Sequence, residues 1–104
     1  MEGAIFTYRH HNGKLVGVVE VSCQTDFAAR TETFSKFGDD LAMHIAMSDA
    51  ADVDDLLKED FLGDPVTVAA SLDEIRKSLR EDVKIQGFHK HQFNGGGLLE
   101  PAGT

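Results

Sequence analysis

An α+β fold is expected from three features of the chain. Two β-rich runs, 4–11 and 14–21, are joined by Asn12-Gly13. A stretch at 31–48 repeats Phe34, Phe37, Leu41 and Ile45 at steps of three and four. A last β-rich run, 84–93, follows a second stretch of helical periodicity. Together they predict a small three-stranded antiparallel sheet, a β-hairpin plus a C-terminal strand, with helices packed on one face.

The hairpin comes first. Asn-Gly between alternating runs is a strong short-range hairpin signal, because the tight two-residue turn wants positive φ at both positions. Closing there sets Ala4 opposite Val21, Phe6 opposite Val19 and His10 opposite Leu15, all on one face. The other face carries Ile5, Thr7, Arg9, Val16, Val18 and Glu20. That face is mixed and suits either water or a second subunit.

The next segment, CQTDFAAR over 23–30, hands the hairpin over to the first long helix. Thr31 is the expected N-cap of that helix. Phe34, Phe37, Leu41 and Ile45 form its buried stripe, widened by Ala42, Met43, Ala46 and Met47, while Asp39 and Asp40 fall on the solvated side. The acidic stretch 49–55 leads to a short element anchored by Leu56, Leu57, Phe61 and Leu62, and Gly63-Asp64-Pro65 reads as a turn. Ser71 with Glu74 three residues on matches a capping box. Leu72, Ile75, Leu79 and Val83 then mark the buried face of a second helix. In the closing strand Gly87 suits a bulge. The chain divides into a domain over 1–93 and a Gly-rich flexible tail over 94–104.

Bulk properties narrow the function. A chain of 104 residues is one domain's worth, and a net charge of −8 opposes direct nucleic-acid binding, which wants a basic stripe. No apolar run reaches membrane-spanning length. The opening residues lack a secretory pattern, and Glu2 is unsuited to an organelle transit peptide. With a single cysteine, Cys23, no internal disulfide forms, which fits a cytoplasmic protein.

No set of side chains reads as catalytic, and no enzyme, cofactor or metal is expected. Cys23 has no legible histidine partner and reads as a small buried thiol. His89 and His91 share one side of a strand, but no carboxylate or cysteine stands at a recognised ligand spacing. The acidic run 49–55 lacks the Gly and terminal Glu of a calcium loop. Asp26 suits a helix N-terminus, where the dipole favours a carboxylate. Phe27 beside it either staples the helix to the core or projects toward a partner.

Residues 2–47, with YRHHNGKLVGVVEV, CQTDFAAR and LAMHIAM in order and spacing, closely resemble the core domain of bacterial elongation factor Ts. FLGDPVTVAASLDEIRKSLREDVKIQGFHKHQF resembles the last helix and strand of that core, except that Arg80-Glu81-Asp82 stands where the family usually has Gly-Glu-Asn. The family is the guanine-nucleotide exchange factor for the GTPase elongation factor Tu (EF-Tu). The resemblance implies an EF-Ts core-like fold and a role in translation elongation. It further implies EF-Tu contacts at Thr25, Asp26, Phe27, Arg30 and His44, with Phe27 as a wedge near the magnesium and phosphate end of the nucleotide site. Single-core members pair through their sheets, so a homodimer is implied as well. Two departures matter: family members usually begin with a three-helix module that grips the GTPase, whereas this sequence starts at the core, and the long helical segment between the two core helices is much reduced. The alternative is a truncated, dimeric interaction or structural module without exchange activity.

Overall fold

The computed structural model describes residues 1–94 and the backbone of 96–97. Strands β1 (Glu2–Arg9), β2 (Leu15–Cys23) and β3 (Lys84–Gln92) form an antiparallel sheet in the order β1-β2-β3. Four helices, α1 (Asp26–Ala29), α2 (Glu32–Ala46), α3 (Val53–Lys58) and α4 (Val68–Leu79), complete the α+β fold. A two-residue strand, β4 (Gly96–Gly97), pairs with the end of β3. Most of the tail expected to be flexible, 95 and 98–104, lies outside the described residues.

The hairpin register is the expected one, with Ala4 opposite Val21 and Phe6 opposite Val19. The turn differs. Only Gly13 takes positive φ, at 73°, and Asn12 does not. The Gly13 N–H donates to the His10 carbonyl at 2.8 Å, and Asn12 Oδ1 accepts from the Lys14 N–H at 2.9 Å. The loop is therefore longer than a two-residue turn. It keeps the register because the His10 N–H still bonds the Leu15 carbonyl at 2.8 Å.

Between β2 and β3 the register slips once, from Glu20↔Gly87 to Val21↔Ile85, leaving Gln86 as the extra residue of a bulge next to Gly87. The bulge keeps Ile85 and Phe88 against the helices while Gln86 turns outward, its Nε2 donating to Ser22 Oγ at 2.8 Å.

Helix α2 lies across β1 and β2 and supplies the middle of the core. Phe34, Leu41 and Ile45 are fully buried with Val19, Val21, Leu56, Val68 and Val83. Thr31 caps α2 as expected, its Oγ1 accepting from the Phe34 N–H. Glycine at two positions permits the close approach. A Cβ on Gly17 would meet the Ala42 carbonyl oxygen at 2.3 Å, and one on Gly38 would meet the Phe6 ring at 2.2 Å.

Further expectations are corrected: Met47 is exposed at the end of α2, and Val83 is buried but lies past the end of α4. Helix α4 is capped by Thr67, whose Oγ1 accepts from the Ala70 N–H at 3.1 Å, and Ser71 lies inside the helix. The earlier start brings Val68 into the core, so the stripe Val68, Leu72, Ile75, Leu79 outweighs the local capping-box pattern. Leu62, expected as an anchor, is exposed. It sits in a 3-10 turn (Phe61–Gly63) with φ of 54°, which swings its side chain away while Phe61 packs on the core.

The face of the sheet opposite the helices carries Ile5, Val16, Val18, Glu20, His89 and His91. None of these is buried. Among the described residues, no helix is long and apolar enough to cross a membrane.

Candidate functional site

Helix α1 is a single turn held from both ends. Thr25 Oγ1 accepts from the Ala28 N–H at 3.1 Å and so caps the start. At the far end the Arg30 and Thr31 N–H groups donate to the carbonyls of Phe27 and Ala28. Thr31 thus closes α1, its hydroxyl donating to the Ala28 carbonyl at 2.8 Å, and opens α2. Ala28 is the residue α1 buries. Successive side chains on a helix diverge by about 100°, so burying Ala28 turns Phe27 out. Phe27 is 83% exposed, the most exposed aromatic side chain described.

The ring is flanked by charge. Asp26 is the first helical residue, where the dipole favours a carboxylate, and its Oδ2 lies 2.9 Å from Arg30 one turn on. Both side chains are largely exposed, so the pair contributes little to stability. Its consequence is shape: an apolar knob with a carboxylate and a guanidinium at its base.

The turn before α1 is anchored by a residue distant in sequence. One oxygen of Glu81 accepts from the backbone N–H groups of Gln24 and Thr25 at 2.8 and 3.0 Å, and the other accepts the Thr25 hydroxyl at 2.8 Å. The Asp82 N–H donates to Gln24 Oε1 at 3.1 Å. The Thr25 hydroxyl bond, helped by the two backbone N–H bonds, holds the Glu81 carboxyl below its ordinary value. Cys23 is buried, and its thiol donates to the Thr25 carbonyl at 3.3 Å. Burial, then the negative field of Glu81, pushes that thiol up, which keeps it protonated and a poor nucleophile.

The structure therefore gathers Thr25, Asp26, Phe27 and Arg30 into one protrusion and leaves His44 elsewhere. His44 is near the other end of α2, about 20 Å along the helix at 1.5 Å per residue. It is only 8% exposed. Its Nδ1 accepts from the Leu62 N–H at 3.1 Å, which leaves Nε2–H to donate to Glu59 at 2.8 Å. Glu59 also accepts from the Ser48 hydroxyl. Both ring nitrogens are thus used within the fold, and a hydrogen bond from His44 to a partner requires breaking one of these bonds. Glu81 is the site residue that sequence reasoning missed. A capping carboxylate from 56 residues away leaves no local pattern.

Among the described residues no group of three or more His, Cys, Asp or Glu is gathered as a metal would need.

The family model for Elongation factor TS matches residues 24–99, which include α1, the Glu81 turn and β3. The chain belongs to the elongation factor Ts family. Among its relatives, Elongation factor Ts of Clostridium novyi is 34% identical over 96 residues, covering 91% of this chain and 31% of the relative. That of Nitratidesulfovibrio vulgaris is 37% identical over 95 residues, covering 91% of this chain and 45% of the relative. That of Fervidobacterium nodosum is 53% identical over a shorter stretch of 45 residues, covering 43% of this chain and 23% of the relative. The chain spans about a third of the length of the first curated relatives it matches.

Proposed function

We propose that this chain is an elongation factor Ts-like guanine-nucleotide exchange factor that promotes GDP release from EF-Tu in the cytoplasm, with Phe27 as the inserted side chain. The observation that carries the reading is the exposure of Phe27 on a helix turn whose backbone is bonded at both ends. A ring left this exposed keeps nearly its whole apolar surface free for a partner to bury. Asp26 and Arg30 at its base meet polar groups around the partner's pocket, and Thr25 keeps the turn in place. His44 lies apart from this contact.

Exchange involves no bond chemistry. The factor binds nucleotide-free EF-Tu more tightly than the nucleotide-bound form, and whatever factor it takes from GDP affinity GDP takes from its own. A thousandfold effect corresponds to about 4 kcal/mol. Burying one Phe side chain supplies about 2–3 kcal/mol. Phe27 alone is insufficient, so Asp26, Arg30 and the surrounding surface contribute the rest.

The direct experiment follows release of fluorescent GDP from EF-Tu on adding this protein. Acceleration that disappears in Phe27→Ala supports the reading. Binding in a pull-down with release at the spontaneous rate favours the second reading, an interaction module without exchange activity. The sheet face left open by the helices, with Ile5 66% exposed beside Val16 and Val18, favours pairing of two copies in either case.

A further inference from the structure

We infer that Glu81 is a positioning residue for the Phe27 protrusion, acting through Gln24 and Thr25 and touching no partner itself. The inference rests on the reading of Phe27 as the inserted side chain and names what prepares it for insertion.

Helix α1 has only four residues. A helix this short does not hold itself together, because nucleation fixes several dihedrals for one hydrogen bond. Its order must come from outside, and Ala28 is its sole buried side chain. Ala29 packs half-buried beside it and Thr31 closes the far end, so the restraint on the near end is the cap. Thr25 Oγ1 accepts from the Ala28 N–H while its own hydrogen goes to Glu81. The Glu81 bond therefore fixes the hydroxyl rotor with a lone pair aimed at the helix, and polarises the oxygen that accepts.

The same carboxylate takes both preceding N–H groups, so three donors of one turn converge on one side chain. These bonds are charge-assisted, with an ionised acceptor. Glu81 is itself placed by the end of α4. The Arg80 N–H bonds the Arg76 carbonyl at 2.8 Å, Arg80 reverses the chain at φ 58°, and the Asp82 N–H returns to Gln24. The C-terminal end of α4 is thereby locked to the N-terminal end of α1.

An ordered turn presents Phe27 in one direction before any encounter. A protein whose competent conformation is only fractionally populated binds more weakly by that fraction, with no change in what happens once bound. Loss of Glu81 is thus expected to act on the concentration of factor needed, and not on the saturated rate of GDP release.

The test compares wild type, Glu81→Gln and Glu81→Ala by amide hydrogen exchange and by fluorescent GDP release from EF-Tu over a range of factor concentration. In Glu81→Ala the amides of Gln24 and Thr25 should exchange at least tenfold faster, with the core amides of Leu41 and Ile45 unchanged. The half-saturating concentration should rise about tenfold with the saturated rate within twofold. Glu81→Gln keeps an oxygen for the two N–H donors and should restore most of both losses. A changed saturated rate with unchanged Gln24 and Thr25 exchange overturns the inference, because Glu81 then meets the partner directly. Faster exchange at those two amides with an unchanged half-saturating concentration also overturns it. Faster exchange at Leu41 and Ile45 in both variants overturns it as well, by showing a general structural role. If wild type fails to accelerate GDP release at all, the proposed function falls. The amide readout then still upholds or overturns Glu81 as the residue that orders the turn.

Discussion

The hydroxyl of Thr25 donates to the carboxylate of Glu81 at 2.8 Å across 56 positions of sequence, and joins the loop before α1 to the loop after α4. This bond is strongest with the ionised acid. Its hydrogen bonds hold the Glu81 carboxyl below the ordinary value of 4.5. A carboxylate depressed in the folded state stabilises fully above its unfolded value, and that contribution is lost as pH falls through the lower folded value. The junction is therefore expected to be intact at neutral pH and to loosen only below about pH 4.5. An NMR titration of the Glu81 side-chain carbon should give a midpoint under 4.5, and the Thr25 amide shift should follow the same curve. A midpoint at or above the ordinary value contradicts the bonding described.

Phe27→Ala separates function from stability. The ring is 83% exposed, so removing it deletes little buried area. Surface substitutions of this kind change stability by within about 0.5 kcal/mol. Thermal denaturation of the variant should match wild type, while any stimulation of GDP release from EF-Tu is lost. A marked fall in melting temperature would instead assign the ring to the fold.

The hairpin register and the α2 stripe were legible because both follow from short-range periodicity. Phe6 faces Val19, and Phe34, Phe37, Leu41 and Ile45 are buried, as their spacing demands. What escaped was non-local. Leu62 is apolar and sits among anchors, yet its exposure is set by the left-handed backbone of the 3-10 turn and by the bond its N–H makes to His44. Thr67 displaced Ser71 as a cap because burying Val68 outweighs a local pattern. Phe27 could be read as staple or knob from sequence, and the choice depended on Ala28 taking the inward position. Glu81 carried no local pattern for this role, since its partners Gln24 and Thr25 lie 57 and 56 positions away in sequence.

The glycines between helix and sheet give a packing test that motif reading did not suggest. Gly38 on α2 faces the Phe6 ring, and a Cβ there would stand 2.2 Å from a ring carbon. Gly17 on β2 faces the α2 backbone, where the obstacle is a carbonyl oxygen at 2.3 Å and not a side chain. A ring can rotate or shift, whereas the backbone of a packed helix moves only as a unit. Overpacking commonly costs about 1–3 kcal/mol. Gly17→Ala is therefore expected near the upper end and Gly38→Ala lower, both measured by urea denaturation. The reverse order would mean that Phe6 is the less yielding neighbour.

The open sheet face supports a prediction about assembly. Ile5 and Val18 lie on adjacent strands on the side without helices, with Val16 on the same face. Exposed apolar side chains on a sheet face invite a second copy, and a two-fold contact repeats the same patch on both sides. Sedimentation equilibrium of the wild type should show self-association, and Ile5→Lys with Val18→Lys should shift it to monomer without unfolding it. A monomeric wild type at high concentration would remove the paired reading, and leave the Phe27 protrusion unaffected.

Arg80 carries the last prediction, which follows from its backbone conformation. It adopts φ 58° and ψ 36°, the left-handed region. The sequence has Arg and not Gly in the turn that goes on to position Glu81. A left-handed conformation costs a residue with a Cβ about 1–2 kcal/mol. Glycine escapes that cost but loses more freedom on folding, which takes back about 0.4–1 kcal/mol. Arg80→Gly should therefore stabilise the domain by about 0.5–1 kcal/mol, visible as a rise in the urea midpoint. The backbone direction at the end of α4 should be preserved, so the Glu81 bonds and any exchange activity should survive. A fall in stability would show that the Arg80 side chain makes a contribution that outweighs its backbone strain.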